Sequence, residues 1–200
     1  MLNRFLRGFV LQIEKIMIEV RSLTKLNLTD LRRVASGYTS NGKYVVAYAD
    51  SESEVSFNLQ LIALEQPYVR EYDHFDAEIL ERYNDILRSG YSFGAHDGDL
   101  LVGLLIAEPR LWNHSLWVSE FHVAASHRKL GIGKRLMCEA AEKSKREGFR
   151  TIVCETQNTN ASAISVYRKL GFSMEGTDIS YYSNTDYPDS EIAVFMKKRL

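Results

Sequence analysis

The chain has 200 residues, 45% hydrophobic and 11% aromatic, with 25 Lys and Arg against 26 Asp and Glu. That is enough apolar material for one domain with its own core, and it excludes a disordered chain. A formal net charge of −1 leaves no broad electrostatic footprint for nucleic acid or a membrane surface, so any anion site must be local.

The first sixteen residues, "MLNRFLRGFVLQIEKI", place Leu2, Phe5, Leu6, Phe9, Val10 and Ile13 at helical spacing, with Arg4 and Arg7 between them. The stretch is too interrupted for a signal peptide, and no small-residue cleavage site follows. Residues 1–16 are therefore expected to be an N-terminal extension, and 17–200 a single domain. No run of 18 apolar residues occurs, so no transmembrane helix is predicted. Ile18–Leu23 alternates as a strand. Asn27–Ala35 reads as a helix opened at Thr29-Asp30, with Leu28, Leu31 and Val34 on one side. Gly37–Tyr48 is ambiguous, and Ser56–Glu65 is apolar enough for either strand or helix.

Asp76–Ser89 is a clearer helix, with Ile79, Leu80, Tyr83, Ile86 and Leu87 on one face and Gly90 just past its end. Ser92–His96 and Leu100–Glu108 are strands joined across "HDGD", a hairpin signal. Leu116–Val123 is a third strand. Then come a helix over Gly133–Glu147, a buried strand over Thr151–Thr156 and a short helix over Asn160–Leu170. Phe172–Glu175 and Ile179–Ser183 read as strand pieces, "SNTDYPDSE" as a loop, and Ile192–Lys197 as a last strand. The order predicts an α/β (α+β) domain with a mixed central sheet, antiparallel first and partly parallel later. Ligands in such sheets sit at the carboxyl end of a strand, beside a helix N-terminus.

Cys138 and Cys154 form no CxxC pair and read as reduced packing residues of a reducing, cytoplasmic compartment. The five histidines are scattered, and no metal site is expected.

"SHRKLGIGKRLM", Ser126–Met137, joins the third strand to the next helix. Glycines let backbone N–H groups turn inward, the helix start adds partial positive charge, and Arg128, Lys129, Lys134 and Arg135 add more. The loop fits a phosphate or diphosphate. The alternative is a tight turn with a solvated basic face. A Walker loop is excluded because Arg128 and Arg135 occupy the places of its first Gly and its Ser/Thr. A dinucleotide fingerprint is excluded because Leu136 replaces its third Gly.

The spacing Arg128-x-x-Gly131-x-Gly133, after a strand ending at Val123, resembles motif A of the GNAT N-acetyltransferases. A second stretch, "ETQNTNASAISVYRKLGF", carries Asn160, Ala163, Tyr167, Lys169, Gly171 and Phe172 in that family's N-x-x-A-x-x-x-Y-x-K-x-G-F pattern. Read alone, Asn160 is a helix cap or an amide donor, and Tyr167 a core aromatic or a groove residue. Within the family the chain is most similar to streptothricin acetyltransferases. The shared features are "ETQ-x-x-N", Asp178, Tyr181 and Tyr182, and Glu191-Ile192-Ala193-Val194-Phe195. It departs at its end, "FMKKRL", where that subgroup has a Trp/Tyr-rich strand.

The resemblance implies a GNAT fold whose parallel strands splay at the acetyl-CoA site. It implies acetyl-CoA as acetyl donor, bound by Phe121, His122 and Val123 of the strand, by Arg128, Lys129, Leu130, Gly131, Ile132, Gly133 and Lys134 of the loop, and by Asn160, Ala163, Tyr167 and Lys169. It also places Tyr167 near the cofactor sulfur, as an acid.

Acyl transfer to an amine needs a deprotonated nitrogen, a polarised carbonyl and a stabilised leaving thiolate. Glu120 is the first candidate base, with His122 on the same strand face or a water chain as alternatives. No covalent enzyme intermediate is expected, since neither cysteine has an adjacent base. Acidic loops, with Asp186, Asp189 and Glu191 in one and Glu71, Asp73, Asp76 and Glu78 in another, suit a cationic acceptor. The partners expected are acetyl-CoA and an amine, with no nucleic acid, no membrane, and a homodimer as an open option. A streptothricin-type amine leads. A protein N-terminus or lysine, or a non-catalytic acyl-CoA-binding module, are the competing roles.

Overall fold

The computed structural model describes residues 17–200, so the expected extension lies outside the described residues. Seven strands form the main sheet in the order β1 (Ile18–Ser22), β4 (Phe93–Asp97), β5 (Leu100–Arg110), β6 (Ser115–Val123), β7 (Thr151–Gln157), β9 (Ala193–Arg199) and β8 (Ser173–Asp178). A separate two-stranded sheet pairs β2 (Gly37–Asp50) with β3 (Val55–Glu71). Among the described residues only β6 and β7 run parallel; every other pair is antiparallel. The expected mixed sheet is present, with its parallel content confined to that one pair.

Helices cover both faces. α1 (Leu28–Val34) and α2 (Ala77–Leu87) bring Leu31, Val34, Tyr83 and Leu87 onto Leu101, Leu104 and Ile106 of β5. α3 (Ile132–Arg146) and α4 (Ala161–Lys169) bring Ile132, Leu136, Met137, Ile164 and Tyr167 onto the opposite face, against Val102, Leu105, Leu116 and Ile152. β5 is therefore buried on both sides, which is why it reads as a continuous apolar run. Each such leucine removed from water contributes roughly 2 kcal/mol. Gly103 lets α3 lie close: a Cβ there would stand 3.0 Å from Ile132 Cγ2 and 3.2 Å from Leu136 Cδ1. α1 is capped by Asn27, whose Oδ1 accepts from Asp30 N at 2.8 Å, and α2 by Asp76, which accepts from Ile79 N at 2.9 Å.

The two ambiguous stretches are the arms of one long hairpin. Tyr44, Val46 and Tyr48 face Leu61, Leu59 and Phe57 across the ladder, so these share one side. Val45, Ala47 and Ala49 lie on the other, and apolar residues on both sides hide the period of two. The hairpin is tied to the main sheet by Asn158, which accepts from Tyr44 N and donates back to Tyr44 O, both at 2.8 Å.

Ile179–Ser183, expected as a strand piece, is a turn. Side chains capture its backbone donors. Asp178 Oδ1 accepts from Ser180 N at 3.0 Å, and Asp186 Oδ2 from Tyr182 N and Ser183 N at 2.7 and 3.0 Å.

Candidate active site

β6 and β7 pair only from Ser115↔Thr151 to Val118↔Cys154. Past that point a bulge opposite Ile106/Ala107 re-aims β6, which continues along β5 alone, while β7 continues along β9. The strands splay. The edge of Glu120–Val123 that faces β7 is left without a partner strand, and an extended, amide-bearing ligand can pair with such an edge.

The glycine loop lies at the end of that edge. Lys129 (φ 67°) and Gly131 (φ 77°) are left-handed, and Ile132 opens α3. Their alternation turns successive N–H groups to one side. From Lys129 to Lys134 these groups find no acceptor among the described residues. A Cβ on Gly131 would meet nothing within 4 Å, so the space over the loop is open, and one on Gly133 would stand 3.2 Å from Phe121 Cζ. A diphosphate fits this cradle: the backbone supplies donors, and the fifteen-residue α3 adds the field of its N-terminus. Arg128, expected at the ligand, is engaged elsewhere. Its Nε donates to Val123 O at 3.1 Å and its Nη2 to Gly37 O at 2.9 Å, so it braces the loop against β6 and the hairpin. Lys129, Leu130 and Lys134 are exposed around the loop.

Across the splay, Asn160 caps α4, accepting from Ala163 N at 3.0 Å. Tyr167 is buried two turns on, with ring centroids 6.0 Å from Phe121 and 5.5 Å from Phe172. Burial, and then the neighbouring Cys154 and Glu155, hold its phenol well above the usual tyrosine range. Lys169 is exposed in the last turn of α4, away from this cluster.

Glu120 and His122 share a face, as the strand period requires. His122 Nε2 lies 2.5 Å from Glu120 Oε2, and Tyr83 of α2 donates to Glu120 Oε1. Tyr72 stacks edge-on against His122 at 5.7 Å. Tyr83 and Tyr72 are both pushed up by burial and then by the Glu120 charge, so both remain neutral donors. Nothing in the sequence marks Tyr83 or Tyr72 as a site residue. Tyr83 reads as a core position of an amphipathic helix, and only the fold brings its hydroxyl to β6.

The pattern for the acetyltransferase (GNAT) family matches residues 58–172, over half the chain. The chain belongs to that family. Streptothricin acetyltransferase of Streptomyces lavendulae is 37% identical over 100 residues, covering 50% of this chain and 52% of that protein. The match therefore spans about half the length of that relative. Streptothricin acetyltransferase A of Bacillus subtilis (strain 168) is 24% identical over 180 residues, 88% of this chain and 96% of the relative. In fold the chain is similar to nourseothricin acetyltransferase, with a TM-score of 0.72 at 24% identity over 91% of this chain and 98% of that one. As a GNAT acyltransferase it takes acetyl-CoA as cosubstrate, which the cradle and the free β6 edge fit.

Two cavities open in this GNAT domain beside the acidic segments expected to receive an acceptor. A cavity of about 720 Å³ opens on the α2 face of the splay, lined by Tyr83, Trp117, Glu120, Glu155 and Tyr181 among others. Of the acidic residues expected there, Asp76 is a helix cap and Asp186 is buried in its own turn. Glu191 accepts from Tyr38, Tyr68 and Thr159 at 3.1, 3.1 and 2.9 Å and pairs with Arg70 at 3.1 Å. It clamps the hairpin to the main sheet beside a second cavity of about 760 Å³, which Asp189 also lines. Glu71, Asp73 and Glu78 line neither cavity. Beside Glu120, the carboxylate that reaches the splay is Glu155, visible in "ETQ" only as a strand-end residue.

Proposed function

We propose that the chain transfers the acetyl group of acetyl-CoA to a primary amine of a small cationic acceptor of the streptothricin type. The observation that carries this is the placement of one carboxylate, Glu120, where the α2-side cavity meets the free edge of β6. The similarity to streptothricin acetyltransferases of S. lavendulae and B. subtilis supports the same acceptor class. A cytoplasmic setting agrees with two free cysteines.

The chemistry follows from the residues. A cationic amine sheds one proton to solvent as it enters the cavity, and Glu120, which His122 and Tyr83 hold in place, takes the second as the nitrogen attacks. The amine nitrogen attacks the thioester carbonyl carbon, and a backbone N–H of the free β6 edge stabilises the oxygen as it gains charge. The C–S bond breaks as the amide forms, and the sulfur leaves as thiolate. Tyr167 donates a hydrogen bond to that sulfur. Because burial makes the phenol hold its proton more tightly than a thiol holds its own, Tyr167 stabilises the thiolate and keeps its proton. The thiolate takes its proton from water.

Thiol release from acetyl-CoA in the presence of streptothricin, polyamines and an N-terminal peptide tests this. Turnover with streptothricin and none with the peptide is expected. Turnover with the peptide alone would transfer the acceptor role to proteins, and acetyl-CoA binding without turnover on any amine would make the chain a binding module.

A further inference from the structure

Glu155 occupies the first β7 position beyond the paired segment, so its side chain stands in the mouth of the splay. It lines the same cavity as Glu120. The mechanism above gives it nothing to do. Its polar partner is the Tyr182 hydroxyl, which donates to Oε1. Among the described residues no basic side chain pairs with it: Arg70 pairs with Glu191, Arg82 of the same cavity lies 5.3 Å from the centre of the Tyr83 ring, and the Arg110 guanidinium lies 3.8 Å from that of Trp117. Aromatic rings continue from Trp117 through Phe195 to Tyr181, with centroids 6.1 and 5.5 Å apart, along the same side. A half-buried carboxylate with no ion-pair partner, beside the Tyr181 ring of the same cavity, matches the chemistry of an alkylammonium or guanidinium seat.

We propose that Glu155 is a specificity residue that binds a second cationic group of the acceptor while Glu120 takes the proton from the amine being acetylated. The substrate class is therefore a diamine or larger polycation, and monoamines fit poorly. The assignment rests on the acceptor reading above and adds to it a second recognised charge and the residue that reads it. Two jobs for two carboxylates also agree with their settings. Glu120 is braced on both oxygens, whereas Glu155 is held on one and keeps the other for a ligand. Burial, with Glu120 and Glu191 nearby, pushes the Glu155 carboxyl up to about 7 against the pull of Tyr182. Tyr72, Tyr167 and Tyr181 also face it and stay neutral, so a bound cation is what would hold it ionised.

The test compares wild type with Glu155→Gln, using cadaverine and n-pentylamine as acceptors of equal chain length and streptothricin as a third. Wild type should favour cadaverine over n-pentylamine by at least roughly tenfold in KM, and the variant should bring that ratio toward one. For streptothricin the variant should raise KM by roughly tenfold while kcat changes far less. An unchanged cadaverine preference, or a fall in kcat at constant KM, overturns the assignment. Calorimetric binding of cadaverine to the protein saturated with coenzyme A, which carries no acetyl group to transfer, reads the same claim without turnover. Binding weakened roughly tenfold in the variant supports it. Equal binding to both proteins, or none to wild type, overturns it. Cadaverine binding at Glu155 without acetylation of any amine would sink the transferase reading and leave the cation seat standing.

Discussion

Replacing Glu155 with Gln should stabilise the protein, by an amount that grows as pH rises from 4.5 and is complete above about 7. Its carboxyl rises from 4.5 to about 7 on folding, chiefly because burial disfavours the charge. The folded chain thus holds this proton more tightly than the unfolded chain does. The associated stability is fully present below pH 4.5 and is lost as pH rises through 7. The shift corresponds to at most about 3 kcal/mol, at 1.36 kcal/mol per pH unit, and solvent at the cavity mouth reduces it to about 2 kcal/mol. Gln keeps an oxygen for the Tyr182 hydroxyl and carries no charge, so it avoids that loss. In a domain of this size about 2 kcal/mol moves the melting temperature by roughly 5 °C. Thermal melts of wild type and Glu155→Gln at pH 5 and pH 8 read the effect directly. The variant should match wild type at pH 5 and melt higher at pH 8. A gap of equal size at both values, or a variant less stable at pH 8, would refute the claim that folding buries a charge here.

Four further outcomes are expected. Glu120→Gln should lower kcat by roughly a hundredfold or more, the usual contribution of a positioned base, with acetyl-CoA affinity by calorimetry nearly unchanged. Tyr167→Phe should lower kcat more than it weakens acetyl-CoA binding; equal losses would remove its role at the leaving sulfur. Gly133→Val should push Phe121 from its place, since even a Cβ stands 3.2 Å from that ring, and acetyl-CoA binding should fall at least roughly tenfold while the melting curve stays cooperative. Tyr83→Phe should leave the fold intact and lower kcat by roughly tenfold with acetyl-CoA affinity unchanged, because the hydroxyl that holds Glu120 Oε1 is gone; an unchanged kcat would remove Tyr83 from the site.

The glycine loop and the cap of α4 were legible in the sequence because local chemistry builds them. Gly131 and Gly133 act within their own loop, and Asn160 caps the helix that carries Tyr167. The acceptor side was not legible, because its parts come from distant elements. Tyr83 looks like a core residue of α2 until its hydroxyl meets Glu120, 37 positions away. Glu191 reads as one more loop acid until Tyr38, Tyr68 and Arg70 of the hairpin converge on it. The hairpin itself hid behind apolar residues on both faces. The turn over Ile179–Ser183 was mistaken for a strand because alternation says nothing of the Asp178 and Asp186 side chains that take its backbone donors. Arg128 shows the same limit: its place in a motif says nothing of the two carbonyls, Val123 O and Gly37 O, that its guanidinium engages.

The most direct test of the whole account is thiol release with streptothricin when the acyl donor is either acetyl-CoA or acetyl-pantetheine, which has the same thioester and no diphosphate. With the diphosphate held by the loop from Lys129 to Lys134, the KM for acetyl-pantetheine should be at least roughly a hundredfold higher, the loss of two or more charge-assisted contacts. Equal KM values for the two donors, or no thiol release from either, would contradict it.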